Sequence, residues 1–323
     1  RFLDHNTVPH GLIPKIGYTS RTTAAMFGYY YDPRIGSAVW PSQLFEVIVG
    51  DDMKPADLKA AIKAKKPVFG FMISATASMR WERVFAGSTL DFVVIDSEHG
   101  SRDRQLIADT VAQMQSLDIT AIVRTPNTEE VWVAMAIDAG ADGVLVPYCE
   151  TLDEVRHTCM KLRTHPLKGE YYERVVKTGE YPSEKSKAYL ENRNSDRIFI
   201  MGVESEPAAN HVEEMIECAP IDAVFIGPND MTTSLGIPDE VDNPIYLDTL
   251  SKVIKAADDR GLPTMIHQQT ISTSKTAIDL GARFILHSSD AGILLRGIQD
   301  EFAELRQFAG GAEVAAEDTL DVV

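Results

Sequence analysis

Cysteine is scarce in this 323-residue chain: there are three, Cys149, Cys159 and Cys218. Their wide spacing offers neither a CxxC motif nor a disulfide framework, which excludes a dithiol redox centre and a stapled secreted scaffold. Basic residues are also in deficit, 31 against 48 acidic, for a net charge of −17. Binding a polyanion needs a basic face, so a nucleic-acid partner is excluded and a solvated acidic surface accounts for the charge. No apolar run approaches the ~20 residues of a membrane-spanning helix. No GxGxxG follows an early apolar run, so the dinucleotide fingerprint is missing too. The opening "RFLDHNTVPHG" lacks a signal-peptide pattern. These absences lead us to expect a cytoplasmic protein without a membrane partner.

What is present is a repeated alternation. Eight short β-rich apolar runs occur: "PVFGFMIS" (67–74), "DFVVIDSEH" (91–99), "TAIVRTP" (120–126), "GVLVPY" (143–148), "IFIMGVES" (198–205), "AVFIGPND" (223–230), "PTMIHQQ" (263–269) and "RFILHSS" (283–289). None shows clean period-two alternation, as expected of strands buried on both faces. Amphipathic stretches such as "TEEVWVAMAIDAGA" (128–141) and "EPAANHVEEMIECAP" (206–220) separate them. Eight strand–helix pairs over about 250 residues predict a (β/α)8 TIM barrel. Its expected span is 56–308. Residues 1–55, with "FGYYYDPR" and "AVWPSQLFEVIV", read as an aromatic extension packing on the barrel or on a neighbouring subunit. Residues 164–196 form a charged excursion, and 309–323 an acidic tail.

Barrel chemistry gathers where strands end. The second run ends in Asp96, Ser97, Glu98 and His99, the third delivers Arg124, the fifth Glu204 and the sixth Asp230. Glu204 and Asp230 on adjacent strands would repel unless a cation neutralised them. Two carboxylates without nearby His or Cys suit a hard ion, Mg²⁺ or Mn²⁺; the structural alternative is that each caps its following helix. Arg124 suits a substrate carboxylate or a developing enolate oxygen, or else a buried ion pair with a rim acid. His99 fits a general acid/base, with Asp96 orienting its ring if the chain turns before Gly100; alternatively it is structural. His267 and His287 are weaker candidates at the same mouth.

"DFVVIDSEHG", "AIVRTP", "GVESEPAANHVEEM" and "IDAVFIGPNDMTTSLG" resemble, in order, the motifs of the HpcH/HpaI aldolases, the metal-dependent class II pyruvate aldolases. The resemblance covers about residues 57–300. It implies a barrel whose last helix is often exchanged between subunits, and a homo-oligomer, often a hexamer. It implies Glu204 and Asp230 as ligands of Mg²⁺, Mn²⁺ or another divalent ion, and Arg124 as the residue holding the keto or enolate oxygen. His99 with Asp96 becomes the acid–base dyad, and N–H groups around Asn229 and Asp230 receive the carboxylate of a 2-oxo acid. The implied reaction is carbon–carbon bond cleavage or formation through a metal-bound pyruvate enolate, by oxaloacetate decarboxylation or aldol cleavage of 4-hydroxy-2-oxo acids. One branch, macrophomate synthase, adds the enolate from oxaloacetate to a 2-pyrone. The chain departs from the family at Gly202, where many members carry Gln, at "HPLKGEYYER", and in its N-terminal extension. A noncatalytic barrel binding a small acid or a partner protein is the competing expectation, and a metal-dependent hydrolase a third.

Overall fold

The computed structural model describes residues 54–77 and 80–310, together with two short strands nearer the N-terminus. Those strands, β1 (Tyr30–Asp32) and β2 (Ser37–Val39), form an antiparallel hairpin with Tyr30 opposite Val39, within a unit of residues 1–47. The remaining expectations for residues 1–53, and for the tail from residue 311, lie outside the described residues.

Each apolar run is a strand of the second unit: β3 (Val68–Ile73), β4 (Phe92–Asp96), β5 (Thr120–Arg124), β6 (Gly143–Val146), β7 (Ile198–Gly202), β8 (Ala223–Ile226), β9 (Thr264–Gln268) and β10 (Phe284–Ser289). All pair in parallel with their chain neighbours, and β10 pairs with β3 to close the barrel. The missing alternation follows from two cores. Phe92, Val94, Ile122, Leu145, Ile200, Phe225, Met265 and Phe284 fill the barrel interior, while Val93, Ile95, Val123, Val144, Phe199, Val224 and Ile266 pack with the surrounding helices. Most strand residues therefore meet an apolar layer on whichever face they occupy, Phe69 of β3 being exposed. Gly70 makes room for this filling. A Cβ there would lie 2.4 Å from the Phe92 carbonyl oxygen and 2.6 Å from its ring. The Phe92 ring instead meets Phe284 edge-on, centroids 4.7 Å apart.

The charged excursion folds as two helices, Gly169–Thr178 and Glu184–Arg193. Tyr172 anchors the first, its hydroxyl donating to the His157 carbonyl at 2.6 Å. Asn194 anchors the second by donating to the His165 carbonyl at 2.9 Å. The last helix, Asp290–Phe308, buries only Asp290 and Gly292, and leaves Leu294, Ile298, Phe302 and Leu305 exposed. Among the described residues no helix is long and apolar enough to cross a membrane.

Candidate active site

Along β3, β4, β5, β7 and β9 the inward parity continues past the apolar filling into polar side chains. Met72 leads to Ser74, Val94 to Asp96, Ile122 to Arg124, Ile200 through Gly202 to Glu204, and Met265 to His267 and Gln269. The polar residues so reached, with Met72, His99, Gly227, Asn229, Asp230 and Ser289, line a cavity of about 80 Å³ at the C-terminal mouth of the barrel. A chamber this small suits a small organic acid. Asp96, His99, Arg124, Glu204, Asn229 and Asp230, expected from the sequence, all reach it.

Asp96 and Arg124 face each other in register across β4 and β5. Arg124 Nε donates to Asp96 Oδ1 at 2.8 Å, Nη1 pairs with Glu98 Oε2 at 2.9 Å, and Nη2 approaches the Met72 sulfur at 3.6 Å. A guanidinium carries five N–H donors in a fixed plane, and because the Glu98 contact is an ion pair without hydrogen-bond geometry, donors on both terminal nitrogens are left over. Burial alone would push the Asp96 pKa up, but the hydrogen bond and charge of Arg124 hold it below the usual value. Glu98 fares differently. Burial outweighs Arg124, and with repulsion from Asp96 and Asp230 it pushes Glu98 up to about 7. Sequence reasoning noticed Glu98 without giving it a role; its place one residue from His99 was the available signal.

Glu204 is not a helix cap. Ser205 caps the helix Glu206–Asn210, accepting from the Ala208 N–H. Glu204 instead lies 1% exposed, with Oε2 accepting the Tyr148 N–H at 2.7 Å. Tyr148 holds that N–H with φ at +50°, a left-handed conformation costly for a bulky residue and concentrated at functional sites. The other oxygen, Oε1, is buried with no hydrogen-bond partner. Two glycines cradle the carboxylate. A Cβ on Gly227 would stand 2.3 Å from Oε1, and one on Gly202 would stand 2.9 Å from Oε2. Burial, over the opposing pull of Arg124, pushes Glu204 up to about 8. Asp230, in the first turn of the helix Pro228–Ser234, makes no hydrogen bond among the described residues and adds its negative charge to the site. An orphaned buried oxygen, a second free carboxylate and hard oxygen donors fit a divalent cation such as Mg²⁺. Among the described residues no group of three or more His, Cys, Asp or Glu gathers for a metal; Glu204 and Asp230 are the carboxylates that would hold one.

The expected Asp96–His99 contact is not made. The chain does turn after β4, with Asp96 Oδ1 accepting the Glu98 N–H at 3.0 Å. A Cβ on Gly100 would lie 2.9 Å from the Asp96 carbonyl oxygen, so the turn needs a residue without one. Asp96, however, is committed to Arg124, and the carboxylate beside the His99 ring is Glu98, with Oε2 3.6 Å from Nε2. Of the two weaker histidines, His267 lines the cavity, and burial with the nearby Arg124 charge pushes it down to about 4. His287 faces away, its Nδ1 2.8 Å from Ser274 Oγ. Sequence reasoning also missed Asp290. Its carboxylate accepts N–H bonds from Ser74 (2.9 Å), Ala75 (3.2 Å) and Thr76 (2.7 Å), and the Thr76 hydroxyl at 2.5 Å. It thereby clamps the loop after β3 to the start of the last helix. A carboxylate directly after the final strand was the signal.

Residues 70–295 match the sequence model of the HpcH/HpaI aldolase/citrate lyase family. The hydroxypyruvate/pyruvate aldolase of Paraburkholderia phytofirmans is 27% identical over 259 residues, 77% of this chain and 97% of its own. The 4-hydroxy-2-oxovalerate aldolase of Novosphingobium aromaticivorans is 27% identical over 255 residues, covering 77% and 94%. Among solved structures, an HpcH/HpaI aldolase/citrate lyase family protein from Burkholderia cenocepacia superposes with a TM-score of 0.67 at 25% identity, over 78% of this chain and 99% of that one. Macrophomate synthase superposes with a TM-score of 0.62 at 23% identity, over 78% and 90%, a likeness of fold.

Proposed function

The chain belongs to the HpcH/HpaI aldolase/citrate lyase family and is a carbon–carbon lyase, and from that premise we propose that it works on small 2-oxo acids through a pyruvate enolate, assisted by a divalent cation. Its reactions are decarboxylation of oxaloacetate, aldol cleavage of 4-hydroxy-2-oxo acids, or both. The observation that carries this reading is Glu204: a buried carboxylate with one oxygen unpartnered, aimed into a cavity that already holds Arg124.

Glu204 and Asp230 would hold the ion, Mg²⁺ or Mn²⁺. When bound, it supplies Lewis-acid stabilisation of negative charge on the substrate, worth several kcal/mol. The protein's own groups do the rest. Arg124, fixed in plane by Asp96 and Glu98, directs its spare N–H donors at the keto oxygen, where charge grows as the carbon–carbon bond breaks. Asn229 and Asp230 border the place of the substrate carboxylate. In aldol cleavage, His99 takes the proton from the 4-hydroxyl; the C3–C4 bond breaks, an aldehyde leaves, and C3 of the enolate is then protonated. Glu98, near 7 and 3.6 Å from the His99 ring, is placed to share that proton. His267 remains a neutral ring at pH 7. The apolar residues exposed along the last helix support a homo-oligomer that covers them.

The test is oxaloacetate consumption with pyruvate formation by EDTA-stripped protein, with and without Mg²⁺, subtracting the ion's own background. Turnover should require both Mg²⁺ and Glu204, and Glu204→Gln should remove it. Aldol substrates assayed the same way cover the second reaction. If neither substrate class turns over and no ion binds, the reading is wrong.

A further inference from the structure

A second cavity, of about 500 Å³, opens between the helices Arg104–Ser116 and Glu130–Asp138. It shares no lining residue with the catalytic cavity. The two are nonetheless back to back. Ser97, on the wall of the second, donates its hydroxyl to the Arg124 carbonyl at 2.5 Å. Most of the wall is apolar, built by Ile107, Ala108, Trp132, Met135 and Ala136.

The polar groups at this cavity are unequally used. Its two carboxylates are engaged: Asp103 accepts the Leu106 N–H at 2.8 Å, and Asp138 pairs with His165 at 3.0 Å. The donors are not. Arg102 Nε and Nη1, and Trp132 Nε1, are buried without an acceptor among the described residues. Only Arg102 Nη2 is occupied, donating to the Thr76 carbonyl at 2.9 Å. A buried guanidinium edge without an acceptor is costly, because it has lost water and gained nothing in return. Asp290 and Asp96 act on Arg102 only through space, without accepting from its free nitrogens; what the site lacks is an acceptor in contact with them, and the apolar wall calls for a hydrophobic body behind it.

We propose that this groove is an accessory binding site for a small organic acid with an apolar body, an aryl or short alkyl carboxylate. Its carboxylate accepts from Arg102 and the Trp132 indole N–H, and its body packs between the two helices against Ile107, Ala108 and Met135. A phosphate monoester fits less well, since beside the two arginines of the rim, Arg102 and Arg104, the wall is mostly hydrocarbon. The site is independent of the proposed reaction, so its test is a binding measurement.

Full-length protein is titrated with benzoate by isothermal titration calorimetry, and separately with benzamide, which has the same body without the charge. Saturable binding of one benzoate per chain is expected, with benzamide at least tenfold weaker. Arg102→Gln should weaken benzoate at least tenfold, as loss of a charge-assisted pair predicts. Ala108→Phe should abolish binding by filling the groove, and Trp132→Phe should weaken it severalfold while keeping the apolar wall. The benzoate–benzamide comparison needs no substitution, so a variant that misfolds does not spoil the test. Absence of benzoate binding to the unaltered protein would overturn the proposal. So would equal affinity for the two compounds, or benzoate affinity untouched by both Arg102→Gln and Ala108→Phe. A groove closed by a second copy of the chain would appear as no benzoate heat together with a smaller sedimenting species for Ala108→Phe, and that too counts against it.

Discussion

Asp96 and Arg124 occupy one rung of the barrel, neighbours in register on β4 and β5, joined Oδ1 to Nε at 2.8 Å with both side chains buried. Breaking a buried ion pair by removing one partner typically costs about 3–5 kcal/mol, because the survivor is left charged and unpaired. Asp96→Ala and Arg124→Ala should each lower thermal stability by this order. The double variant should lose less than the sum, and a double-mutant cycle on chemical denaturation measures the difference. Additive losses would mean that the two side chains do not depend on each other.

Arg124→Lys preserves charge and loses the planar fork. With Asp96 and Glu98 fixing the guanidinium, lysine cannot serve both carboxylates and the substrate oxygen. A drop in kcat of about 10²- to 10³-fold is expected, the range for losing a donor to developing negative charge. Steady-state kinetics on oxaloacetate with Mg²⁺ tests this, and a change confined to KM would reassign Arg124 to substrate binding alone.

The pH dependence of the ion-free protein follows from Glu204. Its pKa is pushed up to about 8 when folded and takes an ordinary carboxyl value near 4.5 when unfolded. Between these values the folded state binds more protons, so stability is highest below the lower value and falls as pH rises toward 8. Melting temperatures of EDTA-treated protein should therefore decline between pH 5 and 8.5. Adding Mg²⁺ or Mn²⁺ should reverse the decline, and Glu204→Gln should make it shallower, leaving the part below about pH 7 that Glu98 contributes. Metal affinity should climb over the same interval, because the ion competes with a proton. A decline in Glu204→Gln as steep as in the unaltered protein would place its cause in another group.

His99→Ala separates the two reactions. Loss of CO₂ from oxaloacetate forms an enolate without a base, whereas aldol cleavage must take a hydroxyl proton. Removing His99 should slow aldol cleavage by about 10²- to 10⁴-fold, the range for general acid–base catalysis, and decarboxylation much less. Equal losses in both assays would show the ring binding substrate or supporting the site.

Asp290 carries a prediction for the barrel seam. Burial acts against its charge, but bonds from Thr76, Ser74 and Ala75 hold its pKa below the usual value. Its contribution to stability is thus present above the unfolded carboxyl pKa and fades as pH falls through the folded one. Asp290→Ala should cost about 1–3 kcal/mol by stranding buried donors. Hydrogen exchange should then quicken at residues 74–76, and unchanged protection there would remove Asp290 as the clamp.

The sequence by itself determined the barrel. Burial on both faces leaves its mark as short unalternating runs, and eight of them, separated by amphipathic stretches, allow few other architectures. It also marked the polar ends of those runs, because hydrocarbon filling must stop where the strands leave the interior. Arg124, Glu204 and His267 lie on the same inward parity as the apolar residues two positions earlier, so their arrival at one mouth was legible. The partnerships were not. Asp96 turns to Arg124 because strand register puts them on one rung, a relation between residues 28 positions apart; His99, three positions away, is left to Glu98. His287 faces the helices because it shares the outward parity of Ile285, one position past the inward Leu286, and only the closed barrel shows which parity of β10 is inward. Glu204 owes the room for its unpartnered oxygen to Gly227, directly after the next strand, and Asp290 its role to a loop 214–216 residues upstream. Local sequence sets each residue's strand and face. Closing the barrel decides its neighbours, and with them the charge each group holds.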